Sequence, residues 1–387
     1  MTSPKPWPPR TEEQLQRAAD DGLLVESHVL DLKRQLGKDN KKTAADLAAF
    51  SVDGGTIIIG VDETEPPTLS AVELKDLGER IEQIGLSTVD EPVHITTYDI
   101  ESAADRTVGY LVVEVPVSGQ APHMVDGRYY ERGDKTNIVL SDAAVLRWHE
   151  RKIRQRSDLI EEARDALGST PAQANIAVVA NPLGAHDELL MELSTSTSWK
   201  SDVAQLLFLA SQSAHQPIST LREPTQIERH PDGLFAATDL TSQDEAAWFN
   251  RAELVFAESG RLTLVSGGLV RNIPGSTPAR GGISETCLIG HIELMVHLAG
   301  LLSAYGFNGS WQFAVATRGM GKTTSYTLST DQNHDDQPAV YRSATYESVT
   351  TAPLKQIKDA PQTVVRALTA KLLRSLGSDG QWPWLFT

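Results

Sequence analysis

Three carboxylates near the start of the chain, Glu26, Asp31 and Asp62, lie beside two strand-like runs and a dense group of cations. On a strand over 29–33, Leu30 and Leu32 share one face, while Val29, Asp31 and Lys33 share the other. On the run from Thr56, the side chains of Ile57, Ile59 and Val61 take one face; Thr56, Ile58, Gly60 and Asp62 take the opposite one. Each strand therefore sends a carboxylate away from its best apolar face. Glu26 precedes Asp31 by five positions and can join it only if the chain turns near Ser27 and His28.

The cations form two runs. KRQLGKDNKK, from Lys33 to Lys42, holds five cationic residues against Asp39, and RWHERKIRQR, from Arg147 to Arg156, holds five against Glu150. A formal net charge of −16 argues against phosphate-bearing partners unless cations cluster, and these do. Lys33, Lys38, Lys41, Lys42, Arg151 and Arg154 are candidate phosphate contacts. Arg128, Tyr129, Tyr130 and Arg132 put cations and aromatics on one further strand. They would clamp a backbone and stack bases, or alternation simply buries Tyr129.

Other familiar chemistries fail on spacing. Gly319-Met320-Gly321-Lys322-Thr323-Thr324 ends like a phosphate-binding loop, but Ala316 stands where the first glycine belongs. Gly54-Gly55 reads as a tight turn before a strand. His291 and His297 are six apart, not the four of a helical zinc site, and the His-x-Glu of a deaminase lacks its Cys-x-x-Cys. Cys287, the single cysteine, reads as a small apolar core residue, and Trp248 and Trp311 as core or interface. His123 lacks a visible carboxylate partner and is expected on a loop, against phosphate or nothing.

The elements that must position these residues are legible. Thr11 and Gln14 form a capping box for a helix to Ala19. A strand over 29–33, a helix over 43–50, the Asp53-Gly54-Gly55 turn, a strand over 56–61 and a helix over 74–84 follow. Strands over 93–100 and 108–115 come next, and Asp126-Gly127 breaks the chain before a strand over 128–132. Later helices are expected over 158–167, 200–213, 289–303 and 362–376, and strands over 176–180, 253–256, 262–266 and 311–316. The class is α+β, with units 1–155 and 156–387. The proline-rich start lacks an apolar signal core, no uninterrupted apolar stretch reaches bilayer length, and one cysteine suits a reducing compartment. A cytoplasmic protein without membrane attachment is expected.

The order of motifs resembles the Schlafen AlbA_2 domain. It runs Glu26, then Asp31-Leu32-Lys33, a helix ending Ala49-Phe50, Gly54-Gly55, Gly60-Val61-Asp62-Glu63, and finally Tyr129-Tyr130-Glu131-Arg132-Gly133. Two positions depart from the family pattern: Asp31 stands where glutamate is usual, and Ser51-Val52-Asp53 replaces an asparagine-containing turn. The resemblance implies handling of RNA (tRNA-like) or DNA. By analogy with animal Schlafens it implies a metal-dependent endoribonuclease site, with Glu26, Asp31 and Asp62 matching the acidic positions that would hold Mg²⁺ or Mn²⁺. There the metal would activate water, and Lys33 would bind phosphate. The second unit would sense, recruit or oligomerise, in stress or antiphage defence. Two other readings stay open: a non-catalytic DNA-binding transcriptional regulator, and a protein-interaction scaffold.

Overall fold

A computed structural model describes residues 7–169, 174–216, 219–238, 251–276, 280–331 and 338–386, with 219 and 220 described by backbone alone. The chain divides into two compact units, Met1–Lys152 and Ile153–Thr387. Both mix helix and sheet, and the class is α+β.

Unit 1 begins with α1 (Glu12–Asp20), whose N-cap Thr11 accepts from Gln14 N–H and whose Arg10 N–H is taken by the Gln14 side chain. Then follow β1 (Leu30–Lys33), α2 (Asn40–Phe50), β2 (Gly55–Ile59), β3 (Val61–Asp62), β4 (Thr68–Leu69), β5 (Val72–Glu73) and α3 (Leu77–Ser87). The unit continues with β6 (Thr96–Glu101), β7 (Val108–Val115), β8 (Met124–Val125), β9 (Arg128–Arg132), β10 (Asn137–Val139) and α4 (Asp142–Gly168), within which the division between units falls.

The central sheet runs β1-β2-β7-β5, with β6 also on β7. Strands β1 and β2 are parallel, joined by α2, and Asp31 sits in register with Ile57 and Lys33 with Ile59. Both faces of β2 are buried. Ile57 and Ile59 pack with Ala44, Leu47 and Phe50 of α2, while Ile58 packs with Leu30, Leu32 and Val112. The run from Thr56 does not continue straight to Asp62, as its apolar pattern suggests. Gly60 adopts φ +100, the strand breaks, and Val61 joins the Ile58 side of the sheet instead of the Ile57 side. Asp62 then pairs with Thr68 in the short β3–β4 ladder.

A second sheet, β10-β9-β8, is antiparallel. Its β8–β9 hairpin turns on Asp126 (φ 52) and Gly127 (φ 75), a two-residue loop with both residues left-handed.

In unit 2 the elements are β11 (Ile176–Pro182), α5 (Met191–Thr195), α6 (Trp199–Ser213), α7 (Ser219–Arg222), β12 (Gln226–His230), β13 (Gly233–Ala237), β14 (Ala252–Ala257) and β15 (Leu262–Ser266). After them come β16 (Val270–Asn272), β17 (Gly281–Ile283), α8 (Glu285–Leu302), β18 (Ser310–Thr317), β19 (Thr324–Ser325), α9 (Tyr326–Thr330), β20 (Glu347–Pro353), α10 (Leu354–Asp359), α11 (Pro361–Leu376) and α12 (Pro383–Phe386). A seven-stranded sheet, β12-β13-β14-β15-β11-β18-β20, is antiparallel throughout. One face carries the main core around α8, with Trp311 fully buried; the other packs Leu159, Ala163 and Leu167. Glu285–Tyr305 is long and apolar enough to cross a membrane by length and composition, but most of it is buried as the core helix of this unit. Trp248 lies outside the described residues.

Gly55 opens β2 where a Cβ would stand 2.6 Å from Phe50 Cε1 and 3.0 Å from the Val29 carbonyl oxygen. Neither the strand nor the packed ring can yield cheaply. Gly55→Ala should destabilise the protein by about 2 kcal/mol or more, as overpacked cores do. A denaturant midpoint unchanged from wild type would contradict this placement of Phe50.

Candidate functional site

Asp31 is a buried carboxylate on β1, and the chain surrounds it with positive charge. Lys33, two residues on and on the same face, brings Nζ to 2.7 Å from Asp31 Oδ2 and 2.9 Å from Asp46 Oδ2 of α2. The contact at Asp31 Oδ2 is an ion pair more than an aimed hydrogen bond. Asn137 of β10 donates through Nδ2 to Asp46 Oδ1 at 2.7 Å and accepts Arg132 Nη1 at 3.2 Å. Arg132 Nη2 closes the circuit on Asp31 Oδ1 at 3.0 Å, with its guanidinium 4.8 Å from the Phe50 ring centroid. Asp31, Lys33, Asp46, Asn137 and Arg132 thus form a closed ring drawn from β1, α2, β9 and β10. Two negative and two positive charges cancel within it. Leaving any of these charges unpaired inside the protein would be expensive.

Glu26 reaches the ring from outside the strand. The chain turns at His28 and Val29, with Ser27 N–H donating to Leu30 O at 2.9 Å. This turn carries Glu26 back along β1, where Oε1 accepts Leu32 N–H at 3.4 Å. Burial, a hydrogen bond to Asp31 and the nearby charges of Asp31 and Glu63 push its carboxyl up to about 7. Burial opposes ionisation of Asp31 too, but the Glu26 hydrogen bond and the Lys33 and Arg132 charges outweigh it and hold that carboxyl below its ordinary range. The proton of the pair is therefore favoured on Glu26 over Asp31. Lys33 is held protonated against its own burial by Asp46 and Asp31.

Asp62 does not join this pair. Its charged neighbour is Arg34, at 3.6 Å, and its side chain is 38 % exposed. The break at Gly60 is the physical reason, because the two-residue alternation from Thr56 does not carry through it. Among the described residues no group of three His, Cys, Asp or Glu side chains could hold a metal ion, and Glu26, Asp31 and Asp62 are no exception. The donor chemistry agrees in that Asp31 is already paired with two cations. The expected Mg²⁺ or Mn²⁺ site does not fit these residues as they stand.

Two of the expected phosphate contacts are also reassigned. Lys33 and Arg132 are ring members, partly or almost wholly buried, and their charge is spent on Asp31 and Asp46. Lys38, Lys41, Lys42 and Arg128 are exposed in unit 1. Arg151 is exposed in unit 1 with its guanidinium 4.9 Å from the Trp148 ring centroid, and Trp148 Nε1–H donates to Glu131 at 3.3 Å. Arg154 is exposed in unit 2. Tyr129 and Tyr130 are both half-buried, so alternation does not bury Tyr129 alone. Beside the ring, Lys41 and Lys42 of α2 and Tyr130 of β9 line a cleft of about 430 Å³, with Asp46 and Asn137 also in its wall.

His123 is corrected as well. It is buried, donates from Nδ1 to the Glu91 carbonyl at 2.6 Å, and accepts the Ser118 hydroxyl at Nε2 over 2.7 Å. Burial holds its pKa below the usual histidine range, so it is a neutral pin for loops and not a phosphate contact.

In unit 2 the chemistry-bearing residues of α8 serve the fold. Glu293 accepts His215 N–H, Gln216 N–H and His215 Nδ1. Glu285 accepts the Ser325 and Thr327 hydroxyls. Cys287 lies 3.2 Å from His291 Nδ1, but burial pushes the thiol up to about 12 and the imidazole down to about 4, the opposite of a nucleophile and its base.

Residues 26–141 match the family model described as Schlafen, AlbA_2. The segment belongs to the Schlafen AlbA_2 domain family. No curated protein matches the chain. The AlbA_2 match spans β1 to β10 and every member of the ring, and it ties unit 1 to nucleic-acid-related function.

The proton on Glu26 has a thermodynamic consequence. Its carboxyl is raised in the folded state from 4.5 to about 7, so this contribution to stability is full below pH 4.5 and is lost as pH rises through about 7. Glu26→Gln keeps a donor toward Asp31 and never ionises. The variant's melting temperature should exceed that of wild type at pH 8 by a few degrees, solvent exposure having reduced the effect, and the gap should close by pH 5. An equal gap at both pH values would contradict the protonation assigned here.

Proposed function

We propose that the AlbA_2 domain is a nucleic-acid-binding module whose buried acidic positions serve structure, while the exposed Lys38, Lys41 and Lys42 hold backbone phosphates. The carrying observation is the division of labour among the cations. Lys33 and Arg132 neutralise the interior carboxylates, and Lys38, Lys41 and Lys42 stand exposed outside the ring, Lys41 in a solvent-exposed pair with Asp126. Ammonium groups on phosphate read no bases, so this grip is independent of sequence. Against a formal net charge of −16, binding depends on the local excess. The metal-dependent cleavage of structured RNA that the resemblance implies is left out of the proposal, because Asp31 is paired with Lys33 and Arg132 and Asp62 stands apart from it beside Arg34.

Fluorescence anisotropy across a salt series tests this. Each phosphate neutralised contributes about −0.7 to the log–log salt slope on a single strand, so alanine at Lys38, Lys41 and Lys42 should flatten the slope by about 2. Affinity should fall alike for unrelated sequences, and labelled tRNA should stay intact with Mn²⁺. A flat salt dependence in wild type, or unchanged affinity in the triple variant, would move a protein-interaction role to the front. Mn²⁺-dependent cleavage lost in Glu26→Gln would restore the nuclease.

A further inference from the structure

We infer that the cleft between α2 and the β8–β9 hairpin seats one unpaired nucleotide, its phosphate on Lys41 and Lys42 and its base on the ring of Tyr130, so that the domain prefers single-stranded nucleic acid. This rests on the nucleic-acid reading above and narrows it to a substrate class. The cleft, about 430 Å³, is within the range of small-ligand sites. Its lining combines the two chemistries of a nucleotide, a pair of ammonium groups for the phosphate and an aromatic face for the base. A duplex keeps its bases stacked inside and offers this cleft only a backbone, whereas an unpaired nucleotide offers both.

Tyr130 is placed to serve as a platform. It lies on β9 in register with Val139, packs partly against the core around Phe50, and lines the cleft beside Val125. That support leaves the ring little freedom to lose on stacking. Lys33 also lines the cleft, but its charge is committed to Asp31 and Asp46.

Asp126 tunes the site. Its Oδ2 lies 3.0 Å from Lys41 Nζ, with both side chains more than 60 % exposed. A pair so exposed is worth little and yields to an incoming phosphate. Asp126 is also a fixed negative charge on the hairpin tip, where it opposes the ligand. Asn tolerates the left-handed backbone that residue 126 adopts, and Asn-Gly suits this two-residue turn, so Asp126→Asn should preserve the hairpin.

The test uses the full chain with a short labelled oligo(dT) and a duplex of equal length. Wild type should bind the single strand more tightly than the duplex. Tyr130→Leu, which keeps an apolar side chain against the core, should weaken single-strand binding roughly five- to a hundredfold and leave duplex binding nearly unchanged. Asp126→Asn should strengthen single-strand binding a few-fold, opposite in sign to Lys41→Ala. Equal or tighter binding of the duplex by wild type overturns the inference, as does equal loss on both ligands in a folded Tyr130→Leu. If that variant fails to fold, the wild-type preference and the sign of Asp126→Asn still decide. Lysine-dependent binding that favours duplex defeats this inference alone, whereas the absence of any salt-sensitive binding defeats the proposed function as well.

Discussion

An ionised carboxylate in a protein interior must be compensated, and unit 1 is arranged around the compensation of Asp31. Burying such a charge costs several kcal/mol unless cations and hydrogen bonds replace its water. The replacement comes from four separate elements: Lys33 on β1, Asp46 on α2, Arg132 on β9 and Asn137 on β10. Because the ring closes only when all four are in place, it fixes the short β8–β10 sheet against the central βαβ unit. Phe50 adds an apolar floor under the Arg132 guanidinium, and Gly55 makes room for that ring. The cleft beside the ring inherits its shape from this arrangement.

The same constraint separates structural from functional charge. Seen as composition, KRQLGKDNKK is one basic run. In three dimensions its first lysine faces inward and is consumed, while Lys38, Lys41 and Lys42 face solvent. The α8 helix of unit 2 repeats the lesson with acids. Glu285 and Glu293 look like chemistry on a helix but spend their oxygens on nearby hydroxyl, amide and imidazole groups.

Much of the fold was legible because it is written in local patterns. Alternation placed Asp31 and Lys33 on one side of β1, and their spacing of two is what lets them pair. The turn required to bring Glu26 back to Asp31 exists at His28 and Val29. Helices α6, α8 and α11 announced themselves by length and apolar spacing, whereas the polar first half of α4 and polar strands such as β12 and β20 did not. Two local signals were available but carry their meaning only in context. A glycine inside a β-branched run marks a break, and Gly60 redirects Asp62; Asp-Gly between two strands is a hairpin turn, not merely an interruption. The rest is non-local. Nothing near Lys33 in sequence names Asp46, and nothing near Arg132 names Asp31, 101 positions away. Counting charges cannot tell a buried cation from a solvated one, which is why Lys33 and Arg132 read as phosphate contacts.

The central claim is that Lys33 and Arg132, not a divalent metal, neutralise the buried Asp31 of this AlbA_2 domain. Its most direct test is titration calorimetry with Mn²⁺ at pH 8, where Glu26 is largely ionised and best able to bind, comparing wild type with Glu26→Gln. The account predicts superimposable titrations, with only weak uptake by the acidic surface in both. A submillimolar site present in wild type and lost in Glu26→Gln would contradict it.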